Sequence, residues 1–139
     1  MDTLVPDLTQ LEQAVLEKFL DGDHDVLSVL RRQLQGIRAT KREFTGVGFY
    51  TNLATPADSF RVQGNRSFEL SDVLANMPGL TVGAGFVLFV RDGLLATLEG
   101  YTFSNEPWPA AVTTFELSYR VGSRFEKRRD MEELYKRLK

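Results

Sequence analysis

The stretch Gly83–Thr102, GAGFVLFVRDGLLATLEGYT, decides the fold. Two apolar runs flank Asp92-Gly93, a dipeptide that tolerates the positive φ of a tight turn, so the segment reads as a β-hairpin. With Asp92 and Gly93 as the loop residues, Val90 faces Leu95, Leu88 faces Thr97, Phe86 faces Glu99 and Ala84 faces Tyr101, all on one side. Val87, Phe89, Ala96 and Leu98 take the other side. A hairpin apolar on both faces belongs at the centre of a sheet, covered twice. One face then carries the Glu99 carboxylate among aromatic and aliphatic neighbours, where an unpaired charge is costly. Glu99 is therefore the first candidate functional residue.

Further strands flank this hairpin. Upstream, Arg38–Phe44 is charged enough for an edge strand, and Val47, Phe49, Thr51 and Leu53 alternate with Gly48, Tyr50 and Asn52. Residues 54–66, with Pro56, Asp58, Gly64 and Asn65, read as a long loop. Phe68, Leu70 and either Val73 or Leu74 form another strand, unless Ser71-Asp72 caps one helical turn before Pro78-Gly79. Downstream, Thr113, Phe115, Leu117 and Tyr119 alternate with polar residues, the pattern of a strand with one wet face. In Glu106-Pro107-Trp108-Pro109 two prolines hold Trp108 in an extended segment, where it either plugs the rim of the core or anchors a partner.

Helices bracket the strands. Thr9 followed by Glu12 makes a capping box, and Leu8, Leu11, Val15 and Phe19 recur at helical spacing until Asp21-Gly22-Asp23. A second helix begins near Asp23 or Asp25 and aligns Val26, Leu27, Leu30, Leu34 and Ile37. His24, the only histidine, sits at the junction, where capping or solvation outweighs a role as base or ligand. At the other end, Arg124–Lys139 reads as a basic helix whose stripe of Met131, Leu134, Tyr135 and Leu138 needs a covering surface. That surface is either the second face of the hairpin or a second subunit.

The expected architecture is α+β: an N-terminal helical pair on a largely antiparallel sheet of five or six strands, plus a C-terminal helix. Residues 1–121 form one domain and 122–139 the basic helix. A chain of 139 residues is long enough to bury a substantial core. No cysteine is present, which excludes disulfides and thiolate chemistry and fits a reducing compartment. No leader or membrane-spanning stretch is visible, so a cytoplasmic location with no membrane partner is expected. The net charge of −2 hides an asymmetry: residues 120–139 carry eight Lys/Arg against four Asp/Glu, and the first 119 carry nine against fifteen. A basic tail can meet nucleic acid, an acidic partner or its own acidic body, and the overall pI near 5.5 argues against a dedicated DNA-binding protein.

Chemical constellations are sparse. HExxH, GxSxG and the P-loop are missing, and no metal or cofactor is expected. Glu99 with Glu43 or Glu106 would make an acid/base pair if folding brought two carboxyls into different environments. Its structural alternative is an ion pair to Arg38 or Arg42. Candidate ligand-binding residues are Glu99, Tyr101, Glu43 and Tyr50; candidate interaction residues are Trp108, Met131, Leu134, Tyr135 and Leu138.

The segments Arg42–Thr51, Gly83–Thr102 and Glu106–Pro109 together resemble a family of small bacterial α+β proteins of unknown function, over roughly residues 8–120. The resemblance implies a bacterial cytoplasmic origin and supplies no catalytic residue. The reading that results is a non-catalytic protein-interaction module, of regulatory or toxin-neutralising type, acting on a protein partner or as a homodimer. The alternative is a small-ligand-binding protein or hydrolase with a carboxylate pocket around Glu99.

Overall fold

The computed structural model describes residues 7–139 and the backbone of Asp2 and Thr3; Met1 and residues 4–6 lie outside the described residues. Helices α1 (Gln10–Phe19) and α2 (Asp25–Leu34) come first, after the two-residue strand β1 (Asp2–Thr3). Then follow β2 (Arg38–Phe44), β3 (Gly48–Ala54), β4 (Phe68–Leu70), β5 (Val73–Asn76), β6 (Ala84–Arg91), β7 (Leu94–Thr102), β8 (Glu116–Val121) and β9 (Arg124–Glu126), with α3 (Met131–Arg137) at the end. The fold is α+β, and its sheet of nine antiparallel strands is larger than the five or six expected. The order is β1-β2-β3-β7-β6-β5-β8-β9, with β4 pairing β6 beside β5. The excess comes from short strands: β1, β9 and the break at Ser71-Asp72 that splits one edge of β6 between β4 and β5.

The local signals explain the helices. Thr9 caps α1 with the full capping box to Glu12. His24 caps α2, its Nδ1 accepting the Val26 N–H at 3.0 Å. Both helices lay their apolar stripes on one face of the sheet, where Val15, Leu16, Phe19, Leu27 and Leu30 meet Phe86, Leu88, Val90, Leu95 and Leu98 in a common core.

The hairpin β6–β7 turns at Asp92 (φ 53°) and Gly93 (φ 78°), the two positive φ values of a two-residue turn. The expected register fails four residues later. Val90 pairs Leu95, but Phe89 pairs Thr97, so Ala96 is an extra residue on β7. This β-bulge flips every later side chain of β7. Leu95 and Leu98, three apart, both point into the core, and Glu99 opposes Val87 on the other face instead of Phe86. The carboxylate thereby leaves the apolar environment that made it look costly. A second irregularity between Ala39 and Lys41 does the same on β2, turning both Ala39 and Arg42 inward.

The C-terminal segment also departs from expectation. Arg124–Glu126 is not helical but pairs with β8 across a tight turn at Gly122-Ser123, and the helix starts only at Met131. Asp130 caps it, receiving the Glu133 N–H at 3.1 Å. Helix α3 joins the helical layer of its own chain and not the second face of the hairpin: Leu134 and Leu138 enter the common core, and the Tyr135 hydroxyl donates to the Asp23 carbonyl at 3.1 Å. Arg129 fastens the junction, forking onto Asp72 at 2.7 and 2.9 Å and donating to the carbonyls of Phe19 and Asp21. All three helices thus sit on the inner face. Among the described residues no helix covers the outer face, and no helix is long and apolar enough to cross a membrane.

Candidate functional site

The outer face of the sheet gathers the four residues singled out as ligand-binding candidates. Glu43 on β2 pairs Tyr50 on β3, and Tyr50 pairs Glu99 on β7, so three of them form one transverse row. Tyr101 is the next outward residue of β7, opposite Gly48. A side chain at Gly48 would collide with the Gly100 carbonyl, its Cβ only 2.0 Å from that oxygen, so β3 and β7 approach here more closely than any other residue would permit.

The Tyr50 phenol and the Glu99 carboxylate are cross-strand neighbours on β3 and β7. Glu99, as an acceptor for the phenol proton and as a charge, with a further push from burial and Glu43, raises the phenol above its ordinary value of 10.0. A phenol held up in this way remains a proton donor and is no nucleophile. Glu99 is half-buried beside Tyr50, and among the described residues it has no ion pair to the Arg38 or Arg42 expected of it; Arg42 pairs with Glu12 instead. The expected acid/base partners do not converge on it: Glu43 lies across Tyr50, and Glu106 is tied to the Thr81 N–H (2.9 Å) and Ser104 hydroxyl (2.7 Å) in a loop.

Aromatic residues extend the row. Tyr101 and Phe103 meet edge to face at 5.7 Å between ring centres, and Phe103 meets Phe125 at 6.1 Å. Arg91 lies over Phe89 and Arg120 over Phe103, with guanidinium carbons 5.4 and 5.7 Å from the ring centres. Tyr50 and Phe125 remain 39% and 44% exposed, far more than side chains beneath a second layer would be.

The buried carboxylate anticipated at position 99 exists, but it is Glu12. Its Oε1 accepts from the Thr9 N–H at 2.8 Å and from Arg42 Nη2, and its Oε2 accepts from Arg42 Nε at 2.8 Å and from the Thr51 hydroxyl. Sequence reasoning read Glu12 only as a helix cap, although its position four residues after Leu8 and three before Val15 places it on the apolar stripe of α1. Above this pair opens a cavity of about 170 Å3 walled by Phe44, Phe49, Trp108 and Val112. Trp108 lies edge-on to Phe49 and Phe86 at the rim of the core, 5.2 and 6.4 Å between ring centres, so it serves as the plug.

Of the other interaction candidates, Leu134 and Leu138 are buried within the chain, Met131 is half-buried against Gly22, and Tyr135 stacks on His24 at 5.5 Å. No group of three His, Cys, Asp or Glu among the described residues is placed to hold a metal ion. Comparison with protein-family models, curated proteins and solved structures finds no match for this chain.

Proposed function

We propose that this chain is a non-catalytic protein-interaction module that docks its partner on the outer face of the sheet. The observation that carries the reading is the uncovered row Glu43–Tyr50–Glu99 with Tyr101, Phe103 and Phe125 beside it: aromatic rings and carboxylates on a rigid sheet surface. Tyrosine supplies contact area at low entropic cost, and two carboxylates flanking an exposed ring suit the lysine or arginine side chains of a protein partner. The family resemblance adds a bacterial cytoplasmic setting to the proposal, in which a regulatory or toxin-neutralising role fits an acidic body.

A hydrolase centred on Glu99 is less well supported, because Glu99 stands on an open face and neither Glu43 nor Glu106 converges on it as a second carboxyl. A photo-reactive amino acid placed at Tyr50, and separately at Phe60, tests the proposal in the organism of origin. Phe60 is 71% exposed and lies on the loop beyond the turn of the hairpin, so it serves as the control. A discrete protein adduct formed from position 50 and not from position 60 supports the docking face. Adducts from 60 alone, or none from either, overturn it.

A further inference from the structure

The cavity beside α1 is independent of the outer face and has the ingredients of a ligand site. Thr9, Gln10 and Leu11 bring the N-terminus of the ten-residue helix α1 to its edge, and a helix N-terminus offers N–H groups without intrahelical acceptors and a positive dipole end. Arg42 lines it as well, its side chain only 7% exposed. The guanidinium spends Nε and Nη2 on Glu12, whereas Nη1 has no partner among the described residues. Because Arg42 lines the cavity, Nη1 is the guanidinium nitrogen left for a ligand there.

Three features define what fits. The volume of about 170 Å3 is close to the roughly 150 Å3 of a cavity that holds benzene, which admits a single ring. Phe44, Phe49 and Trp108 supply aromatic walls. The charge balance selects a monoanion, since Glu12 offsets most of Arg42 and would repel a second negative charge. We propose that the cavity binds a small aromatic carboxylate, with the carboxylate on Arg42 Nη1 and the α1 N-terminus and the ring between Phe44 and Trp108.

The chain has a single tryptophan, and it lines this cavity, so its fluorescence reports on the site. Benzoate titrated into the full chain should give a saturable change in Trp108 emission, whereas benzyl alcohol, its neutral counterpart, should bind about tenfold more weakly or worse, as loss of a hydrogen bond to a charged group requires. Changing Arg42 leaves Glu12 buried and unpaired and endangers the fold. Phe44→Asp avoids this, because Phe44 is 49% exposed at the cavity wall; this variant should keep the melting temperature and lose benzoate affinity by about tenfold through charge repulsion. No saturation with benzoate, equal affinity for benzyl alcohol, or a folded Phe44→Asp chain that binds benzoate unchanged would each overturn the proposal.

Discussion

Two carboxylates behave in opposite ways because of where single side chains place them. Glu12 is 1% exposed and saturated by four donors, so its removal leaves Arg42 as a buried charge without a counterion. Glu12→Ala should cost about 3–5 kcal/mol in denaturant unfolding, and Thr51→Val about 1 kcal/mol, the ordinary worth of one bond. A loss below about 1 kcal/mol for Glu12→Ala would mean that water replaces the pair. Glu99, by contrast, acts on a neighbour. Glu99→Gln removes the charge that raises the Tyr50 phenol, so its titration followed by NMR should move down toward 10.0, the ordinary value. An unchanged titration would show that burial, not Glu99, sets it. Glu12 was legible as a cap from Thr9-x-x-Glu12, yet its buried role was not, because the partner lies thirty residues away on a strand that reads as an exposed edge.

Single elements show what pattern reading captures and where it stops. The hairpin turn was readable from Asp92-Gly93 because few residue pairs accept two positive φ values. The bulge at Ala96 left no such mark: Leu94, Leu95, Ala96 and Leu98 satisfy either register, and only packing on α2 selects the one with Leu95 and Leu98 both inward. Likewise Arg124–Glu126 reads as the start of a charged helix until β8 offers it a paired edge. The loop carrying Trp108 is held by Glu106, whose carboxyl is kept below its ordinary 4.5 by the bonds from Ser104 and Thr81. A depressed folded-state value means the anchoring is complete above the ordinary carboxylate value and is lost as pH falls through the lowered one. Trp108 emission should therefore shift in that acid range, and Glu106→Gln should abolish the step. A step that persists in the Gln variant would assign it to another carboxylate.

At the scale of the whole molecule, every helix packs on the inner face and the outer face is left to aromatic and charged side chains. The α+β class and the N-terminal helical pair followed from periodicity alone, whereas the destination of α3 did not, since its stripe fits either face of a sheet. Ending the chain at Val121 deletes Leu134, Leu138 and the Arg129 fork. Each buried leucine is worth about 1.5–3 kcal/mol against a total stability of about 5–15, so the melting temperature should fall steeply. An unchanged melting temperature would mean that α3 is not part of the core. The central claim, that the outer face is a surface for a protein partner, is tested most directly by the double variant Tyr50→Ser/Glu99→Lys, with stability and affinity for the partner captured at position 50 measured together. The prediction is a stability change within about 1 kcal/mol, as for exposed positions, with affinity reduced by about a hundredfold or more, as for loss of a binding hot spot. A folded variant with unchanged affinity, or one that unfolds because the row supports the sheet, would contradict it.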